Sequence, residues 1–306
     1  MTHRKQERMF NQFKLHGTLL AALLLAGTAC NKSTPVLDGN TNPAGDPAAI
    51  APEAAATGQL VRTSLGGNGL VQQISYNGKK QPLVILQYAG NFLTTKDSVV
   101  YDAGGKLLKV LSYAPDFFTK GKFTLAGNTT FEWDNSGRIS RKITRDQETG
   151  SLEEDNRYTY DATGKVATIT TSTNPEISKL VTVATLTYEN KNVKKIVHAS
   201  GTDVLSHISV TGFDNHPSYI THPLLPYLLE LTDHDAFGEQ NAVETRNVQY
   251  VNLGSKRDSI VTVTKNAYQY NAASRPVKVA FTSTIYSTGN QKPVTSNGTA
   301  EYTYGK

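Results

Sequence analysis

From about Leu60 onward, apolar and β-branched residues alternate with polar ones along most of the chain. This period of two is typical of β-strands that bury one face. Short turn signals rich in Gly, Asn and Asp separate the runs, as at 89–91 and 289–290. Several runs are long, such as 176–188 and Lys256–Tyr270. The pattern predicts an all-β protein with about 14–15 strands.

A short motif recurs within this pattern, in which an aromatic residue precedes an Asx residue and a glycine follows four positions after the aromatic. The Asx side chain can hydrogen-bond the backbone two residues on, and the glycine supplies a positive φ, so each copy predicts a tight hairpin tip. Weaker copies reach Asn192 from Tyr188 and Ser274 from Tyr270. The complete copies are Tyr101–Gly105, Trp133–Gly137 and Tyr160–Gly164.

Tight tips alternate with less regular turns, which is the pattern of an antiparallel up-and-down meander. A twisted sheet of so many strands must curl or close, so we expect a barrel or a strongly curved sheet. One segment, Pro217–Asp235, breaks the rhythm with prolines and a Leu-rich run. Pro226 indicates one or two helical turns that end near Thr232, in an insertion that covers an open end of the sheet.

The first 57 residues have a different composition. Residues 1–29 combine a basic start with the apolar stretch Gly17–Ala29, as in a bacterial signal peptide, and the stretch ends at the only cysteine, Cys30. This arrangement resembles a lipobox and predicts lipidation of Cys30; ordinary secretion with cleavage nearby is the alternative. Residues 30–57 are rich in Pro, Ala, Asn, Thr and Gly, which predicts a disordered tether. Residues 58–306 are predicted to form a single β domain.

Charge and cysteine content narrow the functional classes. Removing residues 1–29 takes away four cations and one acid, which lowers the formal net charge from +5 to +2. The sequence contains no basic cluster of the kind that binds nucleic acid. Its single cysteine lies at the mature N-terminus, so the β domain has no cysteine for a disulfide, a thiolate metal site or a nucleophile. No catalytic or phosphate-binding motif is present, so we expect neither an enzyme nor a cofactor or metal.

The insertion carries the best candidates for ligand binding, because long loops in compact domains are usually functional when ordered. His and carboxylate side chains can also serve as ligands or proton carriers, although solvated loop residues are an alternative interpretation. The tyrosines at strand ends are compatible with a glycan-stacking surface, a membrane girdle or ordinary cross-strand packing with wet hydroxyls. The candidate ligand-binding residues are His216, Tyr219, His222, Tyr227, Asp233 and His234.

The hairpin motif resembles the tyrosine–aspartate repeats of bacterial wall-associated and Rhs-type proteins. Together with the lipobox, the tether and the Pro-containing break, it resembles a family of Bacteroidetes lipoproteins of unknown function described as having a porin-like fold. The resemblance implies a cell-envelope lipoprotein, lipid-anchored to the outer membrane through Cys30 on an undetermined face. We expect a non-catalytic binding or scaffold role with a glycan or envelope protein as partner; an outer-membrane transport-linked barrel and a hydrolase with an unrecognised site are alternatives.

Overall fold

A computed structural model describes residues 58–66, 69–116, 119, 121–174, 180–231, 234–253, 256–287 and 292–305. Residues 1–57, and with them the predicted signal peptide, lipidation site and tether, lie outside the described residues. The described chain forms sixteen antiparallel strands and one four-residue helix. The strands are β1 (Leu60–Leu65), β2 (Leu70–Tyr76), β3 (Pro82–Ala89), β4 (Phe92–Tyr101), β5 (Leu107–Pro115), β6 (Phe123–Trp133), β7 (Ile139–Asp146), β8 (Leu152–Tyr160), β9 (Val166–Thr173), β10 (Val181–Glu189), β11 (Asn192–Ser200), β12 (Asp203–Pro217), β13 (Gln240–Leu253), β14 (Lys256–Tyr270), β15 (Pro276–Tyr286) and β16 (Val294–Tyr304), and the helix is α1 (Leu225–Leu228).

Each strand pairs with its neighbours in the sequence, and β1 also pairs with β16, where Thr63 lies opposite Tyr302. The sheet is therefore a closed barrel. This confirms the all-β meander with one small helix and decides for the barrel rather than the curved sheet. The strand number is sixteen, slightly above the expected 14–15.

Five connections at one end of the barrel, called the tip end, share one geometry over five residues. In each, the first residue is Asn or Asp, its backbone N–H donates to the fifth carbonyl, and its Oδ1 accepts the fifth N–H at 2.8–3.0 Å. The fourth residue has φ between 59° and 85°. The Asx side chain and the left-handed residue together set each turn. The five tips are Asn77–Gln81, Asp102–Lys106, Asp134–Arg138, Asp161–Lys165 and Asn271–Arg275.

The sequence motif identified these tips unevenly. The weak copy ending at Ser274 has the full geometry, with φ 59° at that serine. The copy assigned to Asn192 is wrong, because the positive φ (56°) lies at Asn190 and Asn192 already begins β11. One tip, whose left-handed residue is Lys80 (φ 64°), is absent from the sequence prediction because lysine stands where glycine is expected.

Six aromatic residues near the ends of even-numbered strands form a belt around the tip end. Each donates a hydrogen bond from its OH or N–H to the carbonyl of the first residue of the strand directly before its own, at 2.6–2.9 Å. The aromatic rings do pack at one end, but the expectation of wet hydroxyls is wrong for these pairs. The pairs are Tyr76–Leu60, Tyr101–Pro82, Trp133–Leu107, Tyr160–Ile139, Tyr188–Val166 and Tyr304–Pro276.

The two faces of the wall differ in chemistry. Near the tip end, the inner face contributes Ile74, Ile85 and Phe131 to a core that also contains the helix residues Leu225 and Leu228. The alternate positions carry charged side chains, such as Arg141, which contacts Asp155 on the next strand. Because side chains alternate across a strand, this arrangement places the apolar core inside the barrel and residues such as Arg141 and Asp155 outside.

Candidate functional site

The insertion between β12 and β13 replaces the sixth hairpin connection at the tip end. A hydrogen bond of 2.8 Å from the Ser218 N–H to the Glu239 carbonyl closes its neck. Between these residues the chain turns inward and forms α1, with Pro226 in the first turn. The helix is shorter than expected from the sequence, since it ends at Leu228 rather than near Thr232.

Leucine side chains of the insertion fill the tip end of the lumen. Leu225, Leu228 and Leu229 are buried in the core, and Leu224 and Leu231 pack against it. Burying such side chains contributes about 1.5–3 kcal/mol each. The inserted segment therefore forms a plug inside the barrel, as the Leu-rich run predicts.

Two buried asparagines fasten the base of the plug to the wall. The Asn192 Oδ1 accepts the backbone N–H groups of Glu239 and Gln240 at 3.0 and 2.8 Å. Asn241, only 1% exposed, donates from Nδ2 to the Asp214 carboxylate at 3.0 Å. These bonds satisfy backbone donors where the insertion returns to the sheet, and so fix its orientation.

A buried ion pair joins the plug to β7. The Lys142 Nζ lies 2.7 Å from the Glu230 carboxylate and 3.7 Å from that of Glu154, and the Lys142 side chain is 4% exposed. Burial opposes the charged ammonium and lowers its pKa, but Glu230 and Glu154 outweigh that effect and raise the pKa of Lys142 overall. The lysine therefore stays charged inside the wall, and the nearer of its two carboxylate partners, Glu230, comes from the plug.

Three of the predicted ligand-binding residues contact aromatic side chains of the wall, two by ring stacking and one by a hydrogen bond. His216 stacks on Tyr270 with ring centroids 3.9 Å apart, and Tyr219 stacks on Tyr302 at 4.7 Å. The Tyr227 hydroxyl lies 3.1 Å from that of Tyr160. These wall residues lie on β14, β16 and β8, so the insertion side chains point to different sectors of the barrel.

The remaining predicted residues have local partners. The His222 Nδ1 accepts the Leu224 N–H at 3.2 Å, and burial lowers the pKa of His222 and so favours the neutral ring that can accept this bond. His234 Nε2 lies 3.3 Å from the Asp235 carboxylate. Asp233 lies outside the described residues, as does Cys30. Over the described part of the chain, no three His, Cys, Asp or Glu side chains converge in a way that could hold a metal ion.

An open polar cleft of about 370 Å³ lies where the insertion meets the β10–β11 turn. His216 is the one predicted residue that lines it. Lys191 and Glu239 face each other in the cleft at 3.1 Å, and Asn215 is exposed there. Sequence reasoning missed Asn190, Lys191 and Glu239, because a two-residue turn carries no signal that it lies next to the end of an insertion about 50 residues later. The lining consists of Asn190, Lys191, Asn192, Asn215, His216, Pro217, Glu239 and Gln240.

The cleft offers hydrogen-bond donors and acceptors beside a stacked His216–Tyr270 pair. Lys191 and Glu239 neutralise each other, and the amide of Asn192 is used in holding the insertion. Within the described ranges, no helix is long and apolar enough to cross a membrane. The arrangement can hold a polar ligand by hydrogen bonds and ring contact.

No family model and no curated protein matches the chain. Among solved structures, it is similar to a porin-like protein from Bacteroides uniformis, at 13% identity and a TM-score of 0.49, over 83% of this chain and 99% of that one. A porin-like protein from Bacteroides vulgatus is similar at 11% identity and a TM-score of 0.32, over 80% and 98%. A Photorhabdus luminescens Tc holotoxin pore structure is similar at 14% identity and a TM-score of 0.25, over 75% of this chain and 13% of that one.

Proposed function

We propose that this protein is a cell-envelope lipoprotein with a non-catalytic binding or scaffold role, held at the outer membrane by a lipid on Cys30. The proposed location rests on the sequence, in which the single cysteine follows an apolar stretch with a basic start. The barrel is then the water-exposed part of the protein, and the tip-end cleft beside the insertion is its ligand site.

The charged outer wall is the observation that carries this proposal. Arg141 donates two hydrogen bonds of 2.8 Å to Asp155, and the exposed Arg246 lies midway along β13 on the same outer face. A membrane-spanning barrel has an apolar band on its lipid face, where each Arg or Lys near the midplane costs about 2–4 kcal/mol. The wall therefore favours a barrel in water over a transport-linked barrel in lipid, and the plug adds to this argument by filling one end of the lumen.

The cleft favours a hydroxyl-rich ligand such as a neutral glycan. Asn190, Asn215 and Gln240 supply amide groups that can both donate and accept, and His216 supplies a ring. Hydroxyl groups need such paired donors and acceptors, and sugar rings pack on flat side chains. An envelope protein that presents amide or hydroxyl groups is the other partner class for the same surface.

The anchor is tested by Cys30→Ala in the full chain. We expect this variant to leave the membrane fraction and to remain soluble without detergent, whereas the wild type partitions with membranes. If the variant still partitioned with membranes like the wild type, the proposed lipid anchor would be wrong. A variant that is soluble only in detergent would favour the lipid-embedded barrel.

The ligand site is tested by glycan-array binding with Asn215→Ala and His216→Ala. The matched control is Asn91→Ala, an exposed asparagine in the β3–β4 turn at the opposite end of the barrel. We expect the two cleft variants to weaken binding at least tenfold and the control to leave it unchanged. Equal binding by all three variants would place the ligand elsewhere.

A further inference from the structure

A second cleft, of about 450 Å³, lies on the outer wall across β11–β14, toward the end of the barrel opposite the tips. It is distinct from the insertion and shares no lining residue with the tip-end cleft. His207 lies opposite Val197 across the β11–β12 pair, which places both side chains on one face of the sheet. The cleft is lined by Lys195, Val197, Val204, His207, Tyr250 and Arg257.

Tyr250 forms an aromatic surface within this cleft. The Arg257 guanidinium lies over its ring at 4.6 Å from the centroid, and the His207 ring lies at 6.0 Å in a tilted arrangement. Arg257 is held by Asp203 at 2.9 Å and by the Val204 carbonyl. Arg257 has five N–H donors, so this fixed guanidinium keeps donors for a further acceptor.

Positive charge collects beside this aromatic surface. Lys195 and Arg246 both lie directly opposite Ser209, one on each side, so their side chains share the outer face about 10 Å apart. Both are exposed, and within the described part of the chain no carboxylate lies within 4 Å of either. Burial, and next the charges of Lys195 and Arg246, lower the pKa of His207, as expected where cations converge.

Two acids near these strands already have cationic partners. Asp203 pairs with Arg257, and Glu244 lies 3.7 Å from Lys265. Lys195, which lines the cleft, and Arg246, which lies beside it, are therefore cations with no carboxylate within 4 Å in the described part of the chain. Uncompensated like charges on a folded surface repel each other, and an anionic ligand relieves that repulsion.

We propose that this outer-wall cleft binds an acidic saccharide. The acid group lies between Lys195 and Arg246, and the sugar ring packs on the His207 ring and on the Arg257 guanidinium that covers Tyr250. Cations select the carboxylate, and an aromatic ring suits the apolar face of a sugar. A membrane surface fits less well, because polybasic lipid-binding segments use clusters of four to eight cations. This inference does not depend on the proposed role of the tip-end cleft.

The test uses the full chain and isothermal titration with oligogalacturonate, which carries one carboxylate per sugar. A galactan oligosaccharide of equal length is the neutral counterpart, and vesicles with 30% anionic phosphatidylglycerol are the lipid arm. We expect oligogalacturonate to bind with an affinity that falls as salt rises, and the neutral oligosaccharide to bind at least tenfold more weakly.

Lys195→Gln combined with Arg246→Gln should weaken oligogalacturonate binding at least tenfold, and Tyr250→Ala should weaken it at least fivefold. The matched control is Arg62→Gln with Lys109→Gln, which removes the same charge from the outer face of β1 and β5 and should change binding less than twofold. The single Lys195→Gln variant serves if the double variant unfolds. Equal loss in the control, or tighter binding to the vesicles than to the oligosaccharide, would overturn the proposal.

Discussion

Replacing glycine by alanine at the left-handed position of a tip should destabilise the barrel, whereas replacing serine by glycine there should stabilise it. Gly164 has φ 85° and Ser274 has φ 59° at equivalent positions of the same turn. A Cβ built on Gly164 meets no heavy atom within 4 Å, so its substitution tests the backbone alone. The two variants therefore measure one physical quantity in opposite directions.

The size of the effect follows from two opposing contributions. A left-handed φ costs an L-residue roughly 1–2 kcal/mol. Glycine loses more backbone entropy on folding, and this costs roughly 0.5–1 kcal/mol relative to alanine. The difference is about 0.5–1 kcal/mol, lost in Gly164→Ala and gained in Ser274→Gly. Valine in place of Gly164 should cost more, about 1–3 kcal/mol, because a β-branched residue tolerates this region poorly.

Urea unfolding followed by far-UV circular dichroism measures these differences as shifts in the midpoint. Gly78→Ala is the matched control, because this glycine lies in a tip, lacks a positive φ and has open space where its Cβ would go. We expect the control to be neutral or slightly stabilising. The turn model would be refuted if Gly78→Ala and Gly164→Ala shifted the midpoint alike, or if Ser274→Gly lowered it.

Three further outcomes are expected. Glu230→Gln should lower the free energy of unfolding by about 1–2 kcal/mol, less than for a fully buried pair because half of the Glu230 side chain is exposed. Adding Lys142→Met to this variant should restore much of that loss, because no unpaired buried charge then remains. Because the pKa of Lys142 is raised in the folded protein, its charge stabilises the fold fully below about pH 10.4, the pKa in the unfolded chain, and this stabilisation should fade as pH rises above that value. The difference in urea midpoint between wild type and Lys142→Met from pH 8 to 11 measures it. Tyr188→Phe should cost about 0.5–1.5 kcal/mol in thermal unfolding by removing the 2.9 Å bond to the Val166 carbonyl, and an unchanged melting temperature would mean that the belt bonds add no stability.

The tips could be predicted from sequence because their determinants are local. Asp134 and Gly137 lie within one turn, and both the side-chain bond and the positive φ arise there. The tip at Lys80 was missed because its left-handed residue is a lysine, which the surrounding turn bonds force into an unfavourable region.

The belt and the plug contacts could not be predicted because their partners come from distant parts of the chain. Nothing in the residues next to Tyr160 indicates that its hydroxyl bonds the Ile139 carbonyl of the previous hairpin. His216 was selected from its composition and position, yet its stacking on Tyr270 depends on the curvature of the closed sheet. Lys191 could not be predicted as a cleft residue either, because its neighbours in the cleft, Glu239 and Gln240, are distant in the sequence.

Pairing of the first and last strands has a consequence for how the chain folds. Thr63 of β1 meets Tyr302 of β16, and the Gly58 N–H donates to the Gly305 carbonyl at 3.1 Å. These contacts span almost the whole described chain, and contacts of large sequence separation form slowly because a long loop must close first. β16 is synthesised after the other fifteen described strands, so until it pairs, β1 and β15 are open edges that can pair with other chains.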